Sequence, residues 1–395
     1  MHIDLIAAGA ATDIAARLVT TFTDLHGRAP VGCFVAPGRV NLIGEHLDYN
    51  RGWCLPMALP HATYAALAPR DDDLVTIASL QRDDPWTGRL DSLGPGQDDG
   101  WAAYVAGVVW ALQQSGLDLP GLDIVVDSRV PIGAGLASSA ALECSVALGL
   151  CAVVGVEDSD DVRRMLVSAC MRAEVEVAGA PTGGMDQTIS LLGRADHALL
   201  IDCRNWSTEQ VPWQPASTGL ELLAVDTRAE HTLADGGYES RRRDCESAAH
   251  ELGATSLREV GDAGSALTEL KDERVRRRAR HVFTEMARVA TAVEQVRDND
   301  FVGLGDTLFA SHESLRDDFD VSCPELDAVV RTAAEHGALG ARMTGGGFGG
   351  SAIALITQET VGDISAAINA EFASRDWPRP GFLLARPSDG ARQVC

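Results

Sequence analysis

Residues 36–50 read Ala-Pro-Gly-Arg-Val-Asn-Leu-Ile-Gly-Glu-His-Leu-Asp-Tyr-Asn and follow directly on an apolar stretch. Glycine and proline interrupt this segment, which has little ordinary strand or helix signal. It places Arg39, Glu45, His46 and Asp48 within ten residues. Carboxylates accept hydrogen bonds from hydroxyl groups, and a guanidinium can hold an anion in a forked grip. The segment therefore predicts a site for a polyhydroxylated ligand, with a solvated loop as the alternative.

The composition restricts the kind of ligand and how it is held. The chain has 395 residues, enough for two domains with sizeable cores. Its formal net charge of −24 argues against nucleic acid as the main partner, because a phosphate backbone attracts basic surfaces. Local groups and a divalent cation would have to hold the phosphates of a nucleotide. The single lysine, Lys271, follows Leu270, so the Gly-Lys-Ser/Thr step of a Walker P-loop is absent.

The cysteines and the hydropathy pattern bear on the compartment. Nine cysteines include no Cys-x-x-Cys pair, which argues against a zinc site. Their odd number and scatter are typical of free thiols in a reducing cytoplasm. The N-terminus lacks the pattern of a signal peptide, and no stretch approaches the roughly 18 apolar residues of a membrane helix. The sequence predicts a cytoplasmic protein without membrane contact.

The hydrophobic periodicity predicts strands and helices that do not alternate regularly, which favours an α+β fold over a doubly wound sheet. Strands are predicted at 31–36, 61–68, 74–79, 122–127, 199–203, 222–226 and 351–356. Helices are predicted at 10–27, 138–153, 161–178, 185–193, 238–252, 271–297, 299–315 and 360–374. The polar stretch 204–219 suggests a junction between domains spanning 1–210 and 211–395. The basic run 274–280 is interpreted as a solvated helix face.

A small-residue loop lies between the strand that ends near Asp127 and the helix predicted from Ser138. Small residues let the backbone approach a ligand, and the helix N-terminus offers N–H groups and partial positive charge to phosphate. This loop can bind phosphate without lysine. The hydroxyls of Ser138 and Ser139 could cap the helix or reach a cation. The candidate phosphate-binding residues are Gly133, Ala134, Gly135, Leu136, Ala137, Ser138 and Ser139.

Asp186 follows a Pro-Thr-Gly-Gly turn and opens the helix predicted at 185–193. A carboxylate at such a position is common as a helix cap. The local pattern alone therefore leaves a capping role and a catalytic role open.

Several motifs, in the expected order, resemble the signatures of galactokinases, members of the galactokinase, homoserine, mevalonate and phosphomevalonate kinase (GHMP) superfamily. The stretches involved are 36–50, 130–139, 183–187, 238–246, 311–327 and 340–356. The chain departs from the usual family residues at Leu47, Ala137, Val175, Thr182, Gly184, Gly346 and Ser351. The resemblance implies a two-domain GHMP kinase fold. Its N-terminal half would be like the second domain of ribosomal protein S-five, its C-terminal half ferredoxin-like, and the active site would lie in the cleft between them.

The resemblance also implies transfer of the ATP γ-phosphoryl group to the anomeric hydroxyl of α-D-galactose. Asp186 would accept the hydroxyl proton, and Arg39 would offset charge on the transferring group. Ser139 and Glu174 would hold Mg²⁺, a hard cation that takes its other ligands from phosphate and water. The sugar would be bound by Arg39, Glu45, His46, Asp48, Gly183, Asp186 and Tyr238. ATP would be bound by Trp101, beside the adenine, and by the loop from Gly133 to Ser139.

Three alternatives remain open at this point. A kinase for a related sugar such as N-acetylgalactosamine shares most of these motifs. Mevalonate phosphorylation is disfavoured by the run from Glu45 to Tyr49. A galactose sensor on a kinase scaffold is disfavoured by the intact loop 133–139 and by Asp186. The sequence predicts galactose and ATP as partners, without nucleic acid or membrane, and a monomeric chain.

Overall fold

The structure, a computed structural model, describes residues 4–97, 100–229 and 236–395. Helices and strands mix without regular alternation, so the predicted α+β class is confirmed. The helices are α1 (Ala11–His26), α2 (Ala102–Gln114), α3 (Ser138–Val153), α4 (Asp160–Arg172), α5 (Met185–Leu192), α6 (Gly237–Glu251), α7 (Ala263–Glu269), α8 (Glu273–Arg297), α9 (Phe301–Ser314), α10 (Pro324–Glu335) and α11 (Val361–Ser374). The strands are β1 (Gly32–Asn41), β2 (Trp53–Cys54), β3 (Pro56–Arg70), β4 (Leu74–Ser79), β5 (Trp86–Arg89), β6 (Gly121–Ser128), β7 (His197–Asp202), β8 (Ser207–Pro212), β9 (Leu220–Asp226), β10 (Gly340–Thr344), β11 (Ser351–Thr357), β12 (Gly381–Leu384) and β13 (Arg392–Gln393).

The first sheet has six strands in the order β13-β1-β3-β6-β4-β5. Neighbours are antiparallel except β4 and β6, which are parallel. Because side chains alternate along β1, Cys33 and Val35 pack with α1, whereas Phe34 and Ala36 pack with α2 and α3. Helices therefore cover both faces of this sheet.

Strand β1 extends to Asn41, five residues beyond the end of the predicted strand 31–36, and so continues into the segment that has little strand signal. The pairing of β1 with β3 shifts register between Pro37 and Arg39. Proline has no N–H for the ladder, and a bulge lets the strand continue past it. The backbone N–H of Arg39 instead donates to the carbonyl of Leu136 at 3.0 Å. The bulge thus attaches the strand to the small-residue loop.

The second half of the chain contains a four-stranded antiparallel sheet in the order β10-β11-β9-β12. A third, three-stranded sheet is formed by β2, β7 and β8. One hydrophobic cluster runs from Leu42 and Leu47 through both sheets to the apolar faces of α8 and α11. The segment 36–50 is therefore built into the core of the second half.

The predicted division at residue 210 stays a prediction. It falls within β8 (Ser207–Pro212), the outer strand of the three-stranded sheet. The last strand, β13, returns to the first sheet, where Arg392 pairs with Val35 and Gln393 with Phe34.

Two general features accompany this fold. None of the helices in the described part of the chain has the length and apolar character to span a bilayer. All nine cysteines, each within the described ranges, are free thiols.

The basic run 274–280 on α8 is not simply a solvated face, so this interpretation is wrong in part. Arg278 is only 2% exposed. It donates to the carbonyl of Asp318 at 2.6 Å and to the carboxylate of Asp320 at 3.0 Å. Arg277 and Arg280 bind the same loop. The basic residues of 274–280 therefore bind α8 to residues 317–320, which follow α9.

Arg342 on β10 is fully buried and connects the two halves of the chain. Its guanidinium pairs with Glu45, lies 3.9 Å from Glu285, and donates to the carbonyl of Leu42 at 2.9 Å. Glu285, on α8, accepts in turn from the backbone N–H of Gly44 at 3.2 Å. Buried charges thereby hold the segment 36–50 against β10 and α8.

We predict that Arg342→Met lowers the free energy of unfolding by about 3–5 kcal/mol, because it leaves buried carboxylates without their cation. Urea unfolding followed by circular dichroism measures this. Arg316→Ala is the matched control, since Arg316 pairs with Asp317 at the surface and should contribute less than about 1 kcal/mol. Similar losses in both variants would contradict a special role for the buried pair.

Candidate active site

The loop between β6 and α3 has the backbone of a phosphate cradle. Gly133, Gly135 and Ala137 have φ angles of 77°, 70° and 60°, in the left-handed region. Glycine adopts this region freely, whereas alanine adopts it at a cost. Ala137 immediately precedes α3, so the loop delivers the N-terminal N–H groups of that helix to one place. This is the arrangement that binds anions at helix N-termini.

The glycine-rich segment 340–356 packs against this loop. The hydroxyl of Ser351 donates to the carbonyl of Ala134 at 2.6 Å. A Cβ on Gly345 would lie 2.9 Å from the carbonyl oxygen of Gly135. The close approach of the two backbones therefore requires a residue without a side chain at this position.

A cavity of about 240 Å³ lies beside the loop and has a mainly apolar wall. It is lined by Thr63, Ser79, Gln81, Arg82, Trp101, Tyr104, Val126, Ser128, Ile132, Ser138, Ser139 and Leu142. Three of the residues assigned to ATP from the sequence, Trp101, Ser138 and Ser139, line it directly. The others form the adjoining loop. Sequence reasoning missed Tyr104, which stands one turn along α2 from Trp101.

Arg39 and Asp186, which are 147 positions apart in the chain, form a two-pronged ion pair. Nε of Arg39 donates to Oδ1 of Asp186 at 2.8 Å, and Nη2 donates to Oδ2 at 2.7 Å. The remaining nitrogen, Nη1, donates to the carbonyl of Gly135 at 2.5 Å. The side chain of Arg39 is 7% exposed and that of Asp186 is 23% exposed. The pair thus fixes a partly accessible carboxylate of α5 next to the phosphate loop.

Arg39 and Asp186 line a second cavity, of about 130 Å³. It is lined by Arg39, Glu45, His46, Asp48, Glu174, Pro181, Thr182, Gly183, Met185, Asp186, Tyr238, Gly345 and Gly346. All seven residues that the sequence assigned to the sugar line it. The structure brings them together from three separate stretches of the chain.

Asp48 lies directly against Gly183 in this cavity. A Cβ on Gly183 would come 1.9 Å from Oδ2 of Asp48, so any side chain there would displace the carboxylate. Burial, and then the negative charge of Asp186, raise the pKa of Asp48 from its usual 3.8 to about 6. The two carboxylates are close enough to repel each other, and hydroxyl donors between them would relieve that repulsion.

His46 and Tyr238 supply aromatic surface to the same cavity. His46 has φ 63°, and its Nδ1 lies 2.9 Å from the hydroxyl of Tyr49. Its ring contacts those of Tyr238 and Phe319 at centroid distances of 5.5 and 4.7 Å. Burial lowers the pKa of His46 to about 3. The imidazole is therefore neutral at physiological pH and cannot serve as a cationic group.

Glu45 lines the cavity, but the protein already engages its carboxylate. Oε1 accepts from the hydroxyl of Thr344 at 3.2 Å and from the backbone N–H of Gly345 at 3.1 Å, while Oε2 pairs with Arg342. Glu45 thus holds the glycine-rich turn at 345–350 in position. Arg342 and Thr344 belong to the glycine-rich sequence motif, but the sequence alone assigned them no role.

Glu174 lies between the two cavities. Its carboxylate accepts from the hydroxyl of Ser139 and from the amide of Gln187, the latter at 2.5 Å. Burial raises the pKa of Glu174 to about 7, and the charge of Asp186 adds to this effect. Burial also raises the pKa of the neighbouring Glu143 well above its usual range. This region holds more carboxylates than cations.

The donor set at Glu174 fits a magnesium ion bound mainly by nucleotide phosphates. Within residues 4–97, 100–229 and 236–395 no three His, Cys, Asp or Glu side chains are grouped to hold a metal on their own. Ser139 and Glu174 provide one hydroxyl and one carboxylate, and Mg²⁺ accepts such a partial protein set. A cation here would also offset the excess negative charge.

Comparison with known families agrees with this arrangement. Residues 20–69 match the galactokinase galactose-binding signature. Residues 103–194 match the N-terminal domain of GHMP kinases, and residues 292–374 match the C-terminal domain. The three matches include Arg39, the phosphate loop, Asp186 and the glycine-rich turn.

Whole-chain relatives are galactokinases. The chain is 46% identical to a galactokinase of Streptomyces coelicolor over 387 residues, covering 96% of this chain and 99% of that protein. It is 40% identical to a galactokinase of Bos taurus over 392 residues, covering 97% of each. The solved structure of Lactococcus lactis galactokinase complexed with galactose superposes with a TM-score of 0.90 at 28% identity, covering 96% of this chain and all of that one. Mevalonate kinase of Methanococcus jannaschii, at 16% identity and a TM-score of 0.66, shares the fold over 90% of this chain and 98% of that one. The chain has the two-domain GHMP kinase fold and belongs to the galactokinase family.

Proposed function

We propose that this chain transfers the γ-phosphoryl group of ATP to the anomeric hydroxyl of α-D-galactose, giving galactose 1-phosphate and ADP. The observation that carries the proposal is the position of the Arg39–Asp186 pair. The pair lines a polar cavity together with other carboxylates and aromatic rings, and through Gly135 it is joined to the loop that leads into the helix N-terminus beside a mainly apolar cavity. This geometry suits a nucleotide on one side and a sugar on the other.

Asp186 is the group that would accept the hydroxyl proton of the sugar. Phosphoryl transfer depends on positioning and charge stabilisation more than on covalent chemistry. Both oxygens of Asp186 are held by Arg39, so the carboxylate cannot rotate away. The guanidinium is a cation and is joined to the phosphate loop by its hydrogen bond to the carbonyl of Gly135. Arg39 therefore orients the base and offsets negative charge on the transferring group.

Ser139 and Glu174 are the residues that would hold Mg²⁺. An ion held there would supply positive charge against the negative charge that develops on the phosphate oxygens. Its presence would also stabilise Glu174 in its ionised form, against the burial that raises the pKa of this group. The protein would supply the hydroxyl of Ser139 and the carboxylate of Glu174, which are hydrogen-bonded to each other.

The sugar would be recognised by Asp48, Glu45, His46, Gly183 and Tyr238, together with Asp186. Asp48 is the principal acceptor in this proposal, because protein donors occupy Glu45 more completely. The structural similarity to Lactococcus lactis galactokinase, which was solved in complex with galactose, supports galactose as the ligand. Location in the cytoplasm, to which the nine free thiols are suited, and a monomeric state stay predictions.

The function is tested by measuring ADP release with one enzyme preparation over galactose, glucose, 2-deoxygalactose and N-acetylgalactosamine. We expect galactose to have the highest kcat/KM, because a site that hydrogen-bonds a hydroxyl rejects analogues that lack or misplace it. Higher kcat/KM for N-acetylgalactosamine would reassign the substrate. Galactose binding without ADP release would mean a sensor.

Asp186→Asn should keep the fold and galactose binding but lower kcat by roughly 10²- to 10⁴-fold, the usual contribution of a positioned base. Galactose affinity measured by calorimetry, alongside kcat, separates binding from chemistry. A variant that retained a tenth or more of the wild-type kcat would remove Asp186 from the catalytic role.

Gly183→Ala should lower kcat/KM for galactose by roughly 10²-fold, because even an ångström-scale displacement of a positioning group can have an effect of this size. The added Cβ cannot coexist with the present position of Asp48. Gly362→Ala is the control, since a Cβ at Gly362 meets no atom within 4 Å. Unchanged kinetics for Gly183→Ala would show that Asp48 is not needed where it stands.

Asp48 should make galactose binding pH-dependent. Its pKa of about 6 means that it gains a proton as the pH falls below that value and loses an acceptor. We expect the Kd for galactose, without nucleotide, to rise roughly tenfold between about pH 7.5 and pH 5. Asp48→Asn should bind weakly with little pH dependence. Equal pH dependence in both proteins would assign the titration to another group.

The same shift has a consequence for stability. The folded-state pKa of Asp48 lies above its unfolded value, so its contribution to stability is favourable at low pH and is lost as the pH rises through about 6. The ligand-free Asp48→Asn variant should therefore melt at a higher temperature than the wild type near neutral pH.

Glu174→Gln should raise the Mg²⁺ concentration needed for half-maximal activity, because the substitution removes the charge of a metal ligand. Activity at a fixed ATP concentration is titrated with Mg²⁺. An unchanged titration would remove Glu174 from the metal site.

A further inference from the structure

Glu143, on α3, is fully buried beside the active site and has no role in the chemistry described above. It lines neither of the two cavities. One carboxylate oxygen, Oε2, accepts from the amide nitrogen of Gln187 at 3.1 Å. The other has no hydrogen-bond partner among the described residues. A buried carboxylate with so few partners is unfavourable for folding, which raises the question of what it does.

Gln187 is the link between Glu143 and the active site. It is fully buried on α5, next to Asp186 in the sequence. Its Nε2 donates both to Glu143 and to Oε2 of Glu174, at 3.1 and 2.5 Å. Its Oε1 faces the hydroxyl of Thr182 at 3.4 Å. One amide group therefore connects two carboxylates.

The hydrogen-bonding groups of the amide favour one of the two possible orientations of the Gln187 side chain. A glutamine side chain has two donors on nitrogen and only acceptor sites on oxygen. Turning the amide of Gln187 over would replace the N–H groups that now donate to Glu143 and Glu174 with an oxygen, which can only accept. Glu143 therefore adds a second hydrogen bond that favours the observed orientation. Without it, only Glu174 and the long contact to Thr182 would select the orientation.

We propose that Glu143 is a positioning residue that acts through Gln187 to hold the carboxylate of Glu174 in the orientation required for the divalent cation. The inference rests on the proposed function of Glu174 as a metal ligand. Groups that hydrogen-bond to a metal ligand commonly tune its affinity for the metal, and their loss typically lowers that affinity about 10- to 100-fold. Glu143 does not touch substrate or cation.

The competing explanation is that Glu143 contributes only to the packing and hydrogen bonding of the core. In that case its replacement would change stability and leave metal binding unaltered. A readout other than catalytic activity is therefore needed. Mn²⁺ can be titrated into the enzyme saturated with ADP, and free Mn²⁺ measured by electron paramagnetic resonance.

Two substitutions at Glu143 separate the possibilities. Glu143→Leu removes the acceptor at similar volume and should weaken Mn²⁺ binding by about 10-fold or more, with galactose affinity unchanged. Glu143→Gln can still offer an oxygen to Gln187 and should bind Mn²⁺ within about threefold of the wild type. Gln187→Met should reproduce the weakening seen with Glu143→Leu, and it serves as the second route if the leucine variant does not fold.

Two controls complete the design. Ser145→Ala lies on the same helix and is equally buried, but its hydroxyl donates only to the carbonyl of Leu142. It should leave Mn²⁺ affinity unchanged. Glu174→Gln tests the underlying assignment: if it does not weaken Mn²⁺ binding, the metal site itself is wrong. If it does, while folded Glu143→Leu and Gln187→Met bind Mn²⁺ normally, the positioning role alone is overturned.

Discussion

The buried guanidinium of Arg342 is the interaction on which the arrangement of the active site depends. It sits between Glu45 and Glu285 without access to water, so its charge is neutralised only by these partners. Burial by itself would raise the pKa of Glu285, but the nearby His281 and arginines outweigh it and hold the value at about 2. A cation so placed demands that both carboxylates be present. The position of the segment carrying His46 therefore depends on its contacts with β10 and α8.

The second constraint is electrostatic and acts within the cavities. Asp48, Glu174 and Asp186 line the same cavity. Among the described residues that line it, Arg39 is the one that carries a positive charge. The whole chain, at −24, adds to the unfavourable field rather than relieving it. Burial first, and the charge of Asp186 in addition, raise the pKa values of Asp48 and Glu174, so that negative charge on these carboxylates is unfavourable in the ligand-free protein. A divalent cation and the hydroxyl donors of a sugar are the groups that would stabilise this charge. Features that destabilise the empty site thus favour binding.

Much of this can be predicted from sequence, for identifiable reasons. Glycines and small residues mark tight loops locally, so the sequence correctly places the loop before α3 and the start of α5 at Met185. Contacts between residues far apart in the sequence leave no such local pattern. The pairing of Glu45 with Arg342 and the burial of Arg278 depend on tertiary packing, which periodicity cannot report. The Arg39–Asp186 pair is foreseeable only through the family resemblance. The continuation of the strand through residues 37–41 is not predicted, because this part of the strand contains a proline and a bulge.

Helix α5 shows that the site depends on residues far apart in the sequence. Its N-terminal end carries Asp186, held by Arg39. Its C-terminal end is held by the last residues of the chain, since the N–H of Ala391 donates to the carbonyl of Ser190 at 2.7 Å and that of Gly390 to Gly193 at 2.8 Å. The helix has only eight residues and would be marginal alone, because nucleation is costly in short helices. Tertiary contacts at both ends therefore set its position, and the orientation of the Asp186 carboxylate depends in part on the docking of residues 390–393 onto the first sheet.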